Sequence, residues 1–171
     1  MPLIKNNQFV DDPWHVLGDG DQALVTDGTD IVVSYDRWKN EREVLLRRNG
    51  RLGVKLSSDQ PPSLIEDDLV RLDLVLLDFP RFADGRGFSY ARLLRERYGF
   101  AGEIRAVGAW FRDQVVFLQR CGVDAFEVSD DQSLDGWRSA LQEFSVVYQP
   151  AADGQSWISS RRSSARSTAA E

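Results

Sequence analysis

The apolar positions along the chain change period several times, and each change marks a predicted element. Ile4 and the Phe9-Val10 pair flank Asn6-Asn7, a dipeptide suited to a tight hairpin turn. Asp27-Gly28 separates Ala23-Leu24-Val25-Thr26 from Ile31-Val32-Val33-Ser34-Tyr35, so two further short strands are expected there. Asp36 is the expected cap of a helix carrying Trp38, Val44, Leu45 and Leu46 and stopping near Asn49-Gly50. Leu52 to Leu56 reads as a strand and Asp59 to Pro62 as a loop. Ser63 is the expected cap of a short helix over Leu64 to Arg71.

From Leu72 the rhythm becomes regular. Leu74-Val75-Leu76-Leu77-Asp78-Phe79 is nearly continuous in apolar character, as a strand covered on both faces must be. After the loop Pro80 to Phe88, Ser89 is the expected start of a helix that turns Leu93, Leu94 and Tyr98 inward and closes at Gly99. Glu103 to Val107 reads as a strand, Trp110 to Cys121 as a helix ended by Gly122, and Asp124 to Val128 as the next strand. Ser133 caps a helix with Leu134, Trp137 and Leu141 inward, and Ser145 to Tyr148 suits a last strand. Strands alternating with ten-residue helical patterns predict βαβ units. The expected fold is therefore α/β: an open, mostly parallel sheet of about five strands flanked by helices in three layers, with a short N-terminal β segment. A partial β/α barrel is the alternative.

Composition sharpens the picture at three points. With 171 residues, 42% of them in the set AVILMFWYC and 28% charged, the chain suits one soluble domain, expected over residues 1–150. Residues 151–171, rich in Ser, Ala and Arg, read as a disordered tail. No apolar run approaches the ~18 residues of a membrane-spanning helix, and the Met1-Pro2-Leu3-Ile4-Lys5-Asn6 start lacks a signal-peptide core. With Cys121 as the sole cysteine, the expected location is the cytoplasm. The net charge of −6 argues against nucleic-acid and membrane partners. It is uneven, however: residues 81–120 hold eight arginines against four acids.

Within that basic segment, Phe79-Pro80-Arg81-Phe82-Ala83-Asp84-Gly85-Arg86-Gly87-Phe88-Ser89 links a buried strand to a helix. In open α/β sheets such loops bind ligands. Arg81, Asp84, Gly85, Arg86, Gly87 and Ser89 are accordingly the candidates for holding an oxyanion or an acidic partner. Arg112, from the next such loop, joins them, and Asp78, Trp110, Asp130 and Asp131 are expected along the same rim. A tight turn in which Asp84 caps or pairs with Arg86 is the competing reading of these residues. The loop is neither a P-loop nor a dinucleotide fingerprint. With one histidine, His15, and no CxxC, no metal or cofactor site is expected, and no catalytic residue can be assigned.

Two longer runs carry a resemblance. They are Phe82-Ala83-Asp84-Gly85-Arg86-Gly87-Phe88-Ser89-Tyr90-Ala91-Arg92-Leu93-Leu94-Arg95-Glu96-Arg97-Tyr98-Gly99-Phe100, continued by Gly102 to Gly108, and Arg112-Asp113-Gln114 leading into Leu118 to Glu127. They resemble a bacterial family of small proteins of unknown function linked to sulfite reduction, whose members are typically encoded beside the sulfite reductase haemoprotein. The resemblance implies a role in assimilatory sulfate or sulfite reduction. It is compatible with a non-catalytic accessory of sulfite reductase or its electron donor, and with a small oxyanion-binding enzyme or sensor. Ala109 stands where that family commonly has an aspartate, which argues against an essential acid at this position.

Overall fold

The computed structural model describes residues 1–21, 28–142 and 147–152. The strand expected at Ala23–Thr26, the first half of the one at Ser145–Tyr148, and the tail from residue 153 lie outside the described residues.

The strands are β1 (Leu3–Lys5), β2 (Gln8–Val10), β3 (His15–Val16), β4 (Ile31–Ser34), β5 (Leu52–Leu56), β6 (Leu74–Phe79), β7 (Glu103–Gly108) and β8 (Ala125–Glu127). The helices are α1 (Tyr35–Leu45), α2 (Arg86–Arg92), α3 (Val115–Arg120) and α4 (Leu134–Gln142). A 3₁₀ helix, Pro62–Arg71, precedes β6, and α2 runs on through a π-helical turn, Leu93–Arg97, to Gly99 at φ +63°.

Among the described residues, eight strands form one sheet in the order β2-β1-β8-β7-β6-β5-β4-β3, parallel from β3 through β8 and antiparallel at β1–β2 and β1–β8. The expected five-strand sheet is thus corrected to a mixed sheet of eight. Of the added strands, β1 and β2 are the expected N-terminal hairpin, which joins the parallel strands through β8, and only the exposed two-residue β3 is too short for its local pattern to announce it. The hairpin at Asn6-Asn7 is present, with both residues at positive φ (53° and 60°), the conformation of a type I′ turn.

Because β3 to β8 follow one another in space as in sequence, right-handed crossovers carry every helix to the same side. The sheet curls into an open half-barrel, closer to the partial barrel than to the three-layer sheet. Trp38, Ile65, Leu94, Leu118 and Trp137 from successive helical segments share one apolar core with Val33, Val54, Leu77, Ala106 and Phe126 of the sheet. Alternate strand residues turn the other way. Val32, Leu74, Leu76 and Val107 pack with Trp14 in a second, smaller cluster on the helix-free face. Gly53 lies between Val32 and Leu74, where a Cβ would come within 3.1 Å of each.

Before β6, two helix starts differ from expectation. Ser34, not Asp36, caps α1, its hydroxyl accepting from the Arg37 N–H at 3.1 Å while Asp36 sits in the first turn. The Pro62–Arg71 helix opens after Pro61 rather than at Ser63, since proline's missing N–H costs nothing in a first turn.

The helix-free face is closed at its amino end by charge. Arg105 is 2% exposed and donates to Asp12 at 2.7 and 3.2 Å and to Glu103 at 3.0 and 2.8 Å, while Lys5 meets Glu103 at 2.6 Å. Truncating one member of a buried ion pair strands the others without a partner. Arg105→Ala is therefore expected to destabilise the fold by about 3 kcal/mol, read as a lowered urea midpoint. Asp12→Ala, whose side chain is 35% exposed, should cost less.

Candidate functional site at the carboxyl edge of the sheet

The parallel strands β4 to β8 end on a common edge, where α/β proteins place their ligands. The loop after β6 is shaped by one close approach. At Gly87 a Cβ would lie 2.4 Å from the Phe79 ring, so only glycine lets the first turn of α2 sit on that strand end. Gly85 is the cap at φ −81° and ψ 3°, conventional angles rather than an anion-cradling conformation. Ser89, read from the sequence as the helix start, instead lies one turn inside α2 because the helix begins at Arg86. It is exposed and borders a shallow hollow with Arg92, Leu93, Glu96 and Arg97.

Asp84 and Arg86 satisfy each other. Arg86 donates from Nε to Asp84 Oδ1 at 2.9 Å and from Nη2 to Oδ2 at 2.6 Å. Its Nη2 also reaches the hydroxyl of Ser58, in the loop after β5, at 2.9 Å. Tyr90 ties in the same loop through its hydroxyl to the Ser58 carbonyl at 2.8 Å. The Arg86 guanidinium, and next the Ser58 hydroxyl, hold the Asp84 carboxyl well below the usual carboxylate range. Only 9% of that carboxylate side chain is exposed. The candidates Asp84, Gly85 and Arg86 are brought together, but as a closed ion-pair network that fixes the loop.

Arg81 lies apart on the exposed start of the loop, and Arg112 stands beside α4 in a hollow with Ser139, Ala140 and Gln142. Neither guanidinium forms a hydrogen bond or ion pair with the described residues. Asp130 and Asp131 are exposed in the turn after β8.

Three features of this edge were not singled out from the sequence. On the helix-free face Lys55 Nζ meets Asp78 Oδ2 at 3.1 Å, both side chains about one-third exposed. Beside them Gly108, at φ +93°, presses against Asp78 and the Phe79 carbonyl, where a Cβ would be 2.9 and 2.6 Å away. Phe82 and Phe111, from the loops after β6 and β7, meet edge to face with centroids 5.0 Å apart, yet remain 52% and 54% exposed. The signal for Lys55 was a lysine inside an apolar strand, in a chain with only three. Nothing local pairs Phe82 with Phe111.

Below the edge, Trp110 meets Phe126 and Trp137 edge to face, and its buried indole N–H has no hydrogen-bond partner among the described residues. A groove of about 870 Å³ lies on the helix layer between α2, α3 and residues 147–151. No group of three or more His, Cys, Asp or Glu side chains arranged to hold a metal occurs among the described residues.

A family model described as "Bacterial protein of unknown function (DUF934)" matches residues 53–158, which take in β5 through α4 and every candidate residue of this edge. The chain belongs to this family. No curated protein matches it. Among the described residues no helix is long and apolar enough to cross a membrane.

Two outcomes test the local geometry. Gly87→Ala gains helix propensity of about 1 kcal/mol but drives a methyl into the Phe79 ring, which costs 1–3 kcal/mol by the usual scale of overpacking. A net loss of about 1 kcal/mol is expected in denaturant melts. The Asp84 pairing should also be visible in pH dependence. A depressed carboxyl contributes stability above its unfolded value of about 4, and that contribution fades as pH falls toward the folded value. The stability gap between the natural protein and Asp84→Asn is thus expected to narrow between about pH 5 and 2. A gap constant across that range would show that the ion pair contributes nothing.

Proposed function

We propose that the protein is a non-catalytic accessory of assimilatory sulfate and sulfite reduction, working in the cytoplasm with sulfite reductase or its electron donor. The process is supported by the resemblance carried by Phe82–Phe100 and Arg112–Glu127 to a family encoded beside the reductase. The observation that carries the accessory role is the closed Asp84–Arg86–Ser58 network. An oxyanion entering that loop would have to displace a carboxylate already bound two-pronged to Arg86, and a partly covered charge pair of this geometry resists exchange for a solvated anion. The oxyanion-binding enzyme or sensor reading is the weaker for it. What the edge leaves available is aromatic surface and arginine, the materials of a protein contact.

Growth of a deletion strain on sulfate, sulfite, sulfide or cysteine as sole sulfur source tests the reading. Poor growth on sulfate and sulfite, rescue by sulfide, and sulfite reductase activity in the extract restored by adding the purified protein are expected. Equal growth on all four sources, with normal activity in the extract, would remove the link to sulfite reduction.

A further inference from the structure

Two phenylalanines exposed on one edge call for an explanation that folding does not supply. Each ring is more than half in water, although burial of such a side chain is worth ~1.5–3 kcal/mol to a fold. Each is also held in place. The Phe82 loop is anchored by Asp84, Arg86 and Ser58, and within it the Asp84 N–H reaches the Arg81 carbonyl at 3.0 Å. The Phe111 loop is anchored by the Ala109 N–H to the Phe79 carbonyl at 2.6 Å and by the Phe111 N–H to Gln114 Oε1 at 3.1 Å. Rigid aromatic side chains presented on fixed loops lose little entropy when they bind, which is what makes such residues binding anchors.

The charge around them points to the kind of partner. Five of the eight arginines in residues 81–120 are engaged within the fold. Arg86 holds Asp84, Arg92 holds Glu96, Arg95 holds Asp124 and three carbonyls, Arg105 holds Asp12 and Glu103, and Arg120 holds the Gln149 carbonyl. Arg97 lies over the Tyr98 ring. The two whose guanidinium groups have no hydrogen bond or ion pair among the described residues are Arg81 and Arg112, the chain neighbours of Phe82 and Phe111. With Asp84 neutralising Arg86, these loops retain Arg81 and Arg112 against Asp113, an excess of one positive charge on a chain of net charge −6.

We infer that the edge bearing Phe82 and Phe111 is a docking surface for a protein partner that offers an apolar pocket bordered by carboxylates. Resting on the reading above, that partner is the sulfite reductase haemoprotein. The rings fill the pocket and the two arginines set orientation and the salt dependence of association.

The test measures binding of the full chain to purified sulfite reductase haemoprotein by biolayer interferometry at low and moderate salt, with sedimentation of the chain alone. The variants are Phe82→Ala with Phe111→Ala, and Arg81→Glu with Arg112→Glu, each checked by its melting temperature. Val70→Ser, at an 88% exposed position on the Pro62–Arg71 helix, controls for general surface hydrophobicity. Loss of affinity of at least ~10-fold in both double variants, with none in Val70→Ser, is expected. The arginine variant, which touches no ring, keeps the inference testable if the phenylalanine variant melts early. Binding by the natural chain that neither double variant weakens would overturn the docking surface and leave the accessory role standing. No binding by the natural chain would instead defeat the partnership on which this inference rests. Self-association that the phenylalanine variant abolishes would overturn the inference by making the occupant a second copy of this chain.

Discussion

Strand β6 pairs with β7 along all six of its residues, and five of the six are buried. A strand with two apolar faces must be covered twice, since each fully buried Leu or Val is worth ~1.5–3 kcal/mol and neither set can be left in water. One cover is the helix layer, whose segments all lie on one side because the strands follow each other in order. The other is the N-terminal segment, which lays Trp14 against Leu74 and Leu76 and is clamped by Asp12 to the buried Arg105. Removing either cover exposes the same strand, so the two halves of the molecule stand or fall together.

The same strand sets the geometry of the edge. Phe79 ends β6 inside the core, and its ring receives Gly87 while its carbonyl accepts the Ala109 N–H. Both loops that carry the exposed phenylalanines are thus hung from one residue. The Asp84–Arg86–Ser58 network then fixes the first of them and removes Arg86 from the cations open to a ligand. Fixation and neutralisation come from one set of bonds, which is why the loop is better suited to presenting side chains than to receiving an anion.

Membership of a bacterial family of unknown function places the matched region, residues 53–158, across this edge but leaves the N-terminal strands outside it. The half of the fold that builds the site is therefore the half the family model covers. The N-terminal hairpin extends the sheet beside β8 and supplies Asn7, whose side chain accepts from the Trp137 indole at 3.2 Å.

Much of the fold was legible in residue order because burial imposes a period. Leu52–Leu56 and Leu74–Phe79 are strands over the spans their apolar runs mark, Asn6-Asn7 makes the tight turn, and Gly99 and Gly122 close helical segments at positive φ. The pairing of Asp84 with Arg86 was also open to a local reading, since they stand two positions apart within one turn. Tertiary structure alone decided the rest. Leu3–Lys5 finds Ala125–Glu127 across more than a hundred residues, Ser58 crosses from another loop to complete the Arg86 network, and Phe82 meets Phe111 from a different strand end. The apolar pattern records that a position is shielded or exposed, whereas its partner is chosen by which strand ends the sheet brings together. That choice depends on the global order of strands, and no local spacing encodes it.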